Sequence, residues 1–300
     1  MKAASQCPCS WPITRERPLL GANGTEAMQA LLAKGERGLT DYLKVGPFMG
    51  EEAILTLRPN HPLLLHLDDT LSQYELKETE VERVKEWVAL TGTPWTSEHI
   101  GFSAANVDLD AALVYQADSD MLSRAQALEN ITHNACKLAS ELSIPLLLEN
   151  IPLFPNPAHM HVCHPDFIAQ VIAQSGCDLL LDLAHARVAA DVLGYDVQDY
   201  LLQLPLERVV EIHISGPRPL HALDGRLRRL VESNIPSIAH LISFDEDNLV
   251  DVHGTMRESD YALLEWTLDH TQPKAISLEY FQEPDGLREQ LLRLGDLLGR

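Results

Sequence analysis

Nine side chains of two chemical types stand at or near the ends of short apolar runs: His66, His99, Glu149, Asp182, His185, His213, Asp251, His253 and Glu279. Imidazole and carboxylate are the donors that zinc, iron and manganese take, and nine of them exceed what one ion can use. Four are carboxylates, and that much negative charge in one cavity is tolerable only against cations. A multinuclear metal site accounts for both the number and the mixture. Taken alone, any one of the nine reads most simply as a hydrogen-bonded structural group. Asp251-x-His253 and Asp182-x-x-His185 are each short enough to arise by chance. The set argues more strongly than its parts, because every run after the first carries a group of this kind.

A sheet must place them. The runs are Thr40–Phe48, Pro62–Leu67, Pro94–Phe102, Ile144–Ile151, Asp178–Ala184, Arg208–Ser215, Asn248–His253 and Lys274–Phe281. Continuous Val/Ile/Leu runs suit strands buried on both faces of a parallel sheet. Between them lie stretches with helical spacing: Asp118–Leu142, with Asp118 and Ser119 as cap candidates; Pro165–Gln174, stopped by Gly176; Met256–His270; and Gly286–Leu298. Eight strands alternating with helices predict a single (β/α)8 barrel over residues 1–300, and a doubly wound sheet would give the same alternation. In the barrel reading, residues 1–39 form an N-terminal extension and first helix, 40–283 carry the strands, and 284–300 form a C-terminal helix. Barrel active sites lie at the C-terminal strand ends, so the nine side chains are expected to converge there.

Composition bounds the rest. Of 300 residues 45% are hydrophobic and 22% charged, the profile of a globular enzyme. Forty-four acidic residues against 23 Lys and Arg give a formal charge of −21, which disfavours broad contact with a nucleic-acid backbone. No apolar run reaches the length of a membrane span, and the first residues carry no apolar signal core. Five cysteines (Cys7, Cys9, Cys136, Cys163 and Cys177) lack the spacing of a disulfide scaffold and read as reduced thiols in a cytoplasm.

The segments SEHIGF, PLLLENI, LLLDLAHARVAA, VVEIHISG, VDVHG and ISLEYFQE, in this order from about Asp41 to Glu283, resemble the multinuclear non-heme iron-dependent oxidase family, to which the oxidase of methanobactin biosynthesis belongs. The resemblance implies a xylose-isomerase-like TIM barrel. It also implies three adjoining ions: one held by His66, His99 and Glu149; a second by Glu149 as a bridge with Asp182, His213 and Glu279; a third by His185, Asp251 and His253. Glu149 and His185 are then the residues expected to matter most to the chemistry. Many family members carry Asn where His185 stands, and this chain keeps the His. The implied reaction uses two to three iron ions, ferrous and ferric together, and dioxygen to oxidise a residue, often Cys, of a ribosomally made precursor peptide. A separate peptide-recognition protein commonly assists. The same ligand order resembles the trinuclear zinc endonuclease IV, so a zinc-dependent phosphodiester hydrolase is the alternative, with zinc or manganese in place of iron. A two-ion sugar isomerase and a non-catalytic metal-binding barrel are weaker readings.

Other features carry two readings each. His159-x-His161-x-Cys163-His164 is a metal trap or, more simply, a polar loop near substrate. Lys44, in the first run, makes an anion contact in the cavity or pairs with a neighbouring carboxylate. Arg187 orients an anionic substrate group or forms a structural salt bridge. The stretch 217–250, with basic GRLRRL and acidic Asp245–Asp247, is a lid or an excursion of the barrel rim. Cys7 and Cys9 read as free thiols, and Trp266 and Tyr280 as packing.

Overall fold

The computed structural model describes residues 11, 17–68, 71–109, 115–117 and 119–300. Twelve strands are found among them: β1 (Leu19–Asn23), β2 (Tyr42–Val45), β3 (Leu63–His66), β4 (Thr96–His99), β5 (Val107–Leu109), β6 (Tyr115–Ala117), β7 (Leu146–Glu149), β8 (Asp178–Asp182), β9 (Val209–Ile214), β10 (Gly216–Pro219), β11 (Leu249–Gly254) and β12 (Ala275–Leu278). Eight of these close a parallel barrel in the order β1-β12-β9-β8-β7-β4-β3-β2. The fold is a (β/α)8 barrel.

Two strands differ from the sequence expectation. The barrel begins at β1, inside the segment read as an extension, so the helix Glu26–Ala33 already lies between barrel strands. The expected seventh strand is not in the barrel: β11 pairs antiparallel with β10 in a separate ribbon. Its pattern explains this. Barrel strands such as β3 and β7 are buried at every position, whereas most of β11 is only half-buried. The helix before β7 spans Arg124–Glu141 and is capped by Ser123, whose hydroxyl accepts from the Gln126 N–H while Gln126 accepts from the Ser123 N–H. Ser119 lies before this cap, and Asp118 lies outside the described residues. Helix Pro165–Ser175 stops at Gly176, whose φ of 72° is the left-handed turn that glycine takes freely.

Successive inward side chains divide the barrel interior into tiers, because residues two apart share a strand face. The lower tier is apolar: Leu19, Tyr42, Leu64, Trp95, Leu147, Leu180 and Ala275 pack together, with Trp11 against them. Burying a large apolar side chain there contributes about 1.5–3 kcal/mol. Gly21 leaves room for the Tyr42 ring, since a Cβ would stand 2.3 Å from it. Two residues further along, β2, β3, β7 and β8 present Lys44, His66, Glu149 and Asp182. The larger core lies outside the strands, between sheet and helices.

Candidate metal centre

All nine side chains singled out above gather at the C-terminal end of the barrel. His66, His99, Glu149 and Asp182 are the last residues of their strands, His213 lies near the end of β9, and Glu279 follows β12. His185 stands in the first turn of helix Leu183–Leu193, which Asp182 caps by accepting from the His185 N–H at 2.7 Å. That helix therefore starts where the strand ends, and places two of the candidate ligands at once. Asp251 and His253 arrive from the outer ribbon. His253 has a φ of 46°, a left-handed conformation that a residue other than glycine seldom adopts.

Four groups of three offer donor atoms within 4.8 Å of one another: His66, His99 and Glu149; His185, Asp251 and His253; Glu149, Asp182 and His185; and Asp182, His213 and Glu279. The first two are sets of two imidazoles and one carboxylate, the facial triad of open non-heme iron sites. The two oxygens of Glu149 look in different directions. Oε2 lies 3.4 Å from His66 Nε2 and 3.8 Å from His99 Nε2, while Oε1 lies 3.3 Å from His213 Nδ1 and 3.4 Å from His185 Nδ1.

Neighbouring groups fix which ring nitrogen faces inward. His66 Nδ1 lies 2.9 Å from Ser97 Oγ, leaving Nε2 toward Glu149. His185 Nδ1 donates to the Asn150 carbonyl at 2.8 Å, leaving Nε2 3.4 Å from Asp251. His213 Nε2 donates to Glu211 at 3.0 Å, which turns Nδ1 to the cluster. Glu211 also accepts from the Trp95 indole and the Ser277 hydroxyl. Such carboxylate and carbonyl partners are how proteins orient metal-binding histidines.

Burial and charge split the imidazoles into two kinds. Burial lowers the pKa of His66 well below the usual range, with Lys44 adding to the effect, and brings His99 to about 4. Around the others burial is outweighed: Asp182 and Asp251 raise His185, Glu279 and Glu149 raise His213 to about 10, and Asp251 and Glu279 raise His253 to about 9. Burial pushes Asp182 up despite His185 beside it, whereas the half-buried Asp251 is brought down to about 2 by His253 and His185. Glu149 Oε2 and Asp182 Oδ2 are buried without a hydrogen-bond partner. Orphaned carboxylate oxygens among imidazoles are the donors a cation completes.

Above the cluster opens a cavity of about 250 Å³. Seven of the nine residues line it, while Asp182 and His213 lie beneath with no exposure. Its walls are aromatic and aliphatic, with Phe102, Phe154 and Phe244 inside and Phe48 and Phe281 at the surface. The rings of Phe281 and His253 meet in a T-shaped arrangement, their centroids 4.8 Å apart.

A family model described as RiPP precursor modification enzyme MbnB/TglH/ChrH matches residues 48–289. The chain belongs to that family. The matched span begins after β1 and β2, so it contains all nine cluster residues but not Lys44. Relatives named as UPF0276 proteins include one from Paraburkholderia phytofirmans, 27% identical over 69% of this chain and 69% of its own. One from Bordetella pertussis is 30% identical over 51% of this chain and spans 46%, about half, of that relative. Among solved structures, a D-tagatose 3-epimerase-like protein superposes with a TM-score of 0.55 at 12% identity, covering 94% of this chain and 98% of its own. An AP endonuclease, family 2, from Brucella melitensis gives a TM-score of 0.57 at 12% identity, with the same coverage. At these identities the likeness shows the barrel alone.

The remaining sequence features fall into place. His159 is buried, lies 2.9 Å through Nδ1 from the Pro152 carbonyl and lines the cavity, as a polar loop near substrate does. Among the described residues no group able to hold a metal includes His161, Cys163 or His164. Arg187 pairs with Asp260 on the neighbouring helix and does not line the cavity. Arg228 of the basic stretch pairs with Glu232 and Glu246, so 217–250 satisfies part of its own charge while Phe244 faces the cavity. Trp266 stacks on His270, and Tyr280 is buried and donates to Glu283. Cys136, Cys163 and Cys177 are free, Cys7 and Cys9 lie outside the described residues, and among those described no helix is long and apolar enough to cross a membrane.

Two residues that orient candidate ligands escaped the sequence reading. Glu211 lies two positions before His213 and Ser97 two before His99, on the same inward faces. That spacing was the available signal. Ser97 in fact serves His66, its neighbour across the β3–β4 pairing.

Proposed function

We propose that this protein is a multinuclear non-heme iron enzyme that uses dioxygen to oxidise a residue, often Cys, of a ribosomally made precursor peptide. The observation that supports it most is the pair of two-histidine, one-carboxylate groups under an apolar-walled cavity, in a chain of a precursor-modifying family. His66, His99 and Glu149 would hold one ion and His185, Asp251 and His253 another, with Asp182, His213 and Glu279 between them. Iron bound there supplies a Lewis acid that lowers the thiol pKa of the substrate and a redox centre for dioxygen.

The chain's own residues supply the rest. Glu149 offers one oxygen to each side of the cluster, tying the two halves together. The aromatic walls exclude water from the reacting side chain and favour a substrate segment with apolar neighbours. Asn23, at the end of β1, lines the cavity with its buried Oδ1 unpartnered, placed to accept from a peptide N–H and so fix the approaching backbone. A separate recognition protein would deliver the peptide.

The test is incubation of anaerobically purified, iron-containing protein with a Cys-containing precursor peptide, with and without dioxygen. The proposal expects a peptide mass change that requires both iron and dioxygen. Zinc-containing protein that cleaves abasic DNA and leaves peptides untouched in oxygen would contradict it.

A further inference from the structure

Lys44 is the one lysine or arginine that is buried among the described residues, 3% exposed. It projects from β2 at the level of the cluster. Beside it runs a parallel rung: Tyr42 reaches past Gly21 of β1 to hydrogen-bond Ser277 at 2.7 Å, and two residues on Lys44 reaches past Asn23 of β1 to Glu279. Its ammonium pairs with Glu279 Oε1 and lies 3.5 Å from His213 Nδ1. Those two atoms belong to two of the three residues of the middle group, Asp182, His213 and Glu279.

We propose that Lys44 is the resident cation of the middle position, so that this chain holds two metal ions, one on each side, rather than three. The inference rests on the metal-centre reading above and narrows it. An ion taking Glu279 Oε1 and His213 Nδ1 as ligands would have to stand where the ammonium already meets both. Two cations cannot share those donors at bonding distance without strong repulsion. The partners elsewhere agree. Glu279 has both oxygens engaged, Oε1 by Lys44 and Oε2 by His253 Nε2 at 3.0 Å, and His213 has both nitrogens engaged. Glu149 Oε2, which faces His66 and His99, is left unpartnered, as is Asp182 Oδ2, which also belongs to the group Glu149, Asp182 and His185 beside the middle one.

The experiment counts metal. Wild-type protein and Lys44→Ala are loaded with excess Fe(II) without oxygen, and separately with excess Zn(II), then desalted and analysed for metal per chain. Wild type should saturate at two, Lys44→Ala at three, and Lys44→Ala with His213→Ala at two again. Lys44→Gln, which keeps most of the length without the charge, should also exceed two and serves if the alanine variant fails to fold. Wild type saturating at three, or lysine variants staying at two, would overturn the role of Lys44 while leaving the metal centre standing. Wild type taking up neither Fe(II) nor Zn(II) would overturn the metal-centre reading and this inference with it.

Discussion

The lower and upper tiers of the barrel interior are built on the same strands, two residues apart, and have opposite chemistry. On β7 the step is from Leu147 to Glu149, on β8 from Leu180 to Asp182, on β3 from Leu64 to His66 and on β2 from Tyr42 to Lys44. The lower tier is an apolar plug that stabilises the closed sheet, and one buried carboxylate, Glu211, borders it and accepts from the Trp95 indole. The upper tier collects carboxylates, imidazoles and one ammonium in a space almost as buried. Hydrophobic burial alone would make the second as apolar as the first. Burial is therefore tolerated in the upper tier because each charge has an opposite partner or awaits a cation. Hydrogen bonds join the tiers: Tyr42 to Ser277, Ser277 to Glu211, and Glu211 to His213. The plug thus also sets the orientation of a cluster imidazole.

Moving a carboxylate down one step is the harshest way to test this contrast. Leu147→Asp would place an unpaired charge in the plug and is expected to cost about 3–5 kcal/mol, the penalty of an uncompensated buried charge. Soluble yield and denaturant unfolding read the effect, and a variant as stable as wild type would show that the lower tier is not dry. Next in size is Glu149→Ala in the upper tier. It should remain folded by circular dichroism but lose the ion at His66 and His99, with activity falling by about 100-fold or more, since even the partners that merely orient ligands are worth 10–100-fold. Full metal content in that variant would remove Glu149 from the ligand set. The smallest effect is expected at the junction. Tyr42→Phe deletes the hydroxyl that contacts Ser277 and should lower stability by about 1 kcal/mol without changing metal content.

The contrast also explains what the sequence disclosed. A leucine run that ends in a charge, as in LLLE of β7 or LLLD of β8, announces a buried strand and its functional end together. Strands of that kind were placed within a residue or two, and the side chains at their ends do converge. β1 escaped because its five residues, LLGAN, carry no such ending. β11 was read as a barrel strand because VDVH holds two candidate ligands, although its alternation of polar and apolar residues is that of a half-exposed ribbon. The total of eight survived because one strand was missed and another wrongly included. The parts of the site that stayed hidden depend on pairing across the barrel. Ser97 and Asn23 acquire their roles from His66 and the cavity, which lie far from them in sequence, whereas Glu211 stands two residues before its partner His213 on the same strand face. Lys44 was legible as a residue that needed an anion, and only the closed barrel brings Glu279 to it.

The central claim is that the upper tier is a metal centre with an ion on each side of Glu149. Anomalous diffraction at the iron edge, from crystals of protein purified and grown without oxygen, tests it most directly. The account predicts one peak among His66, His99 and Glu149 and another among His185, Asp251 and His253. Iron-loaded crystals with no anomalous peak in the upper tier would contradict it.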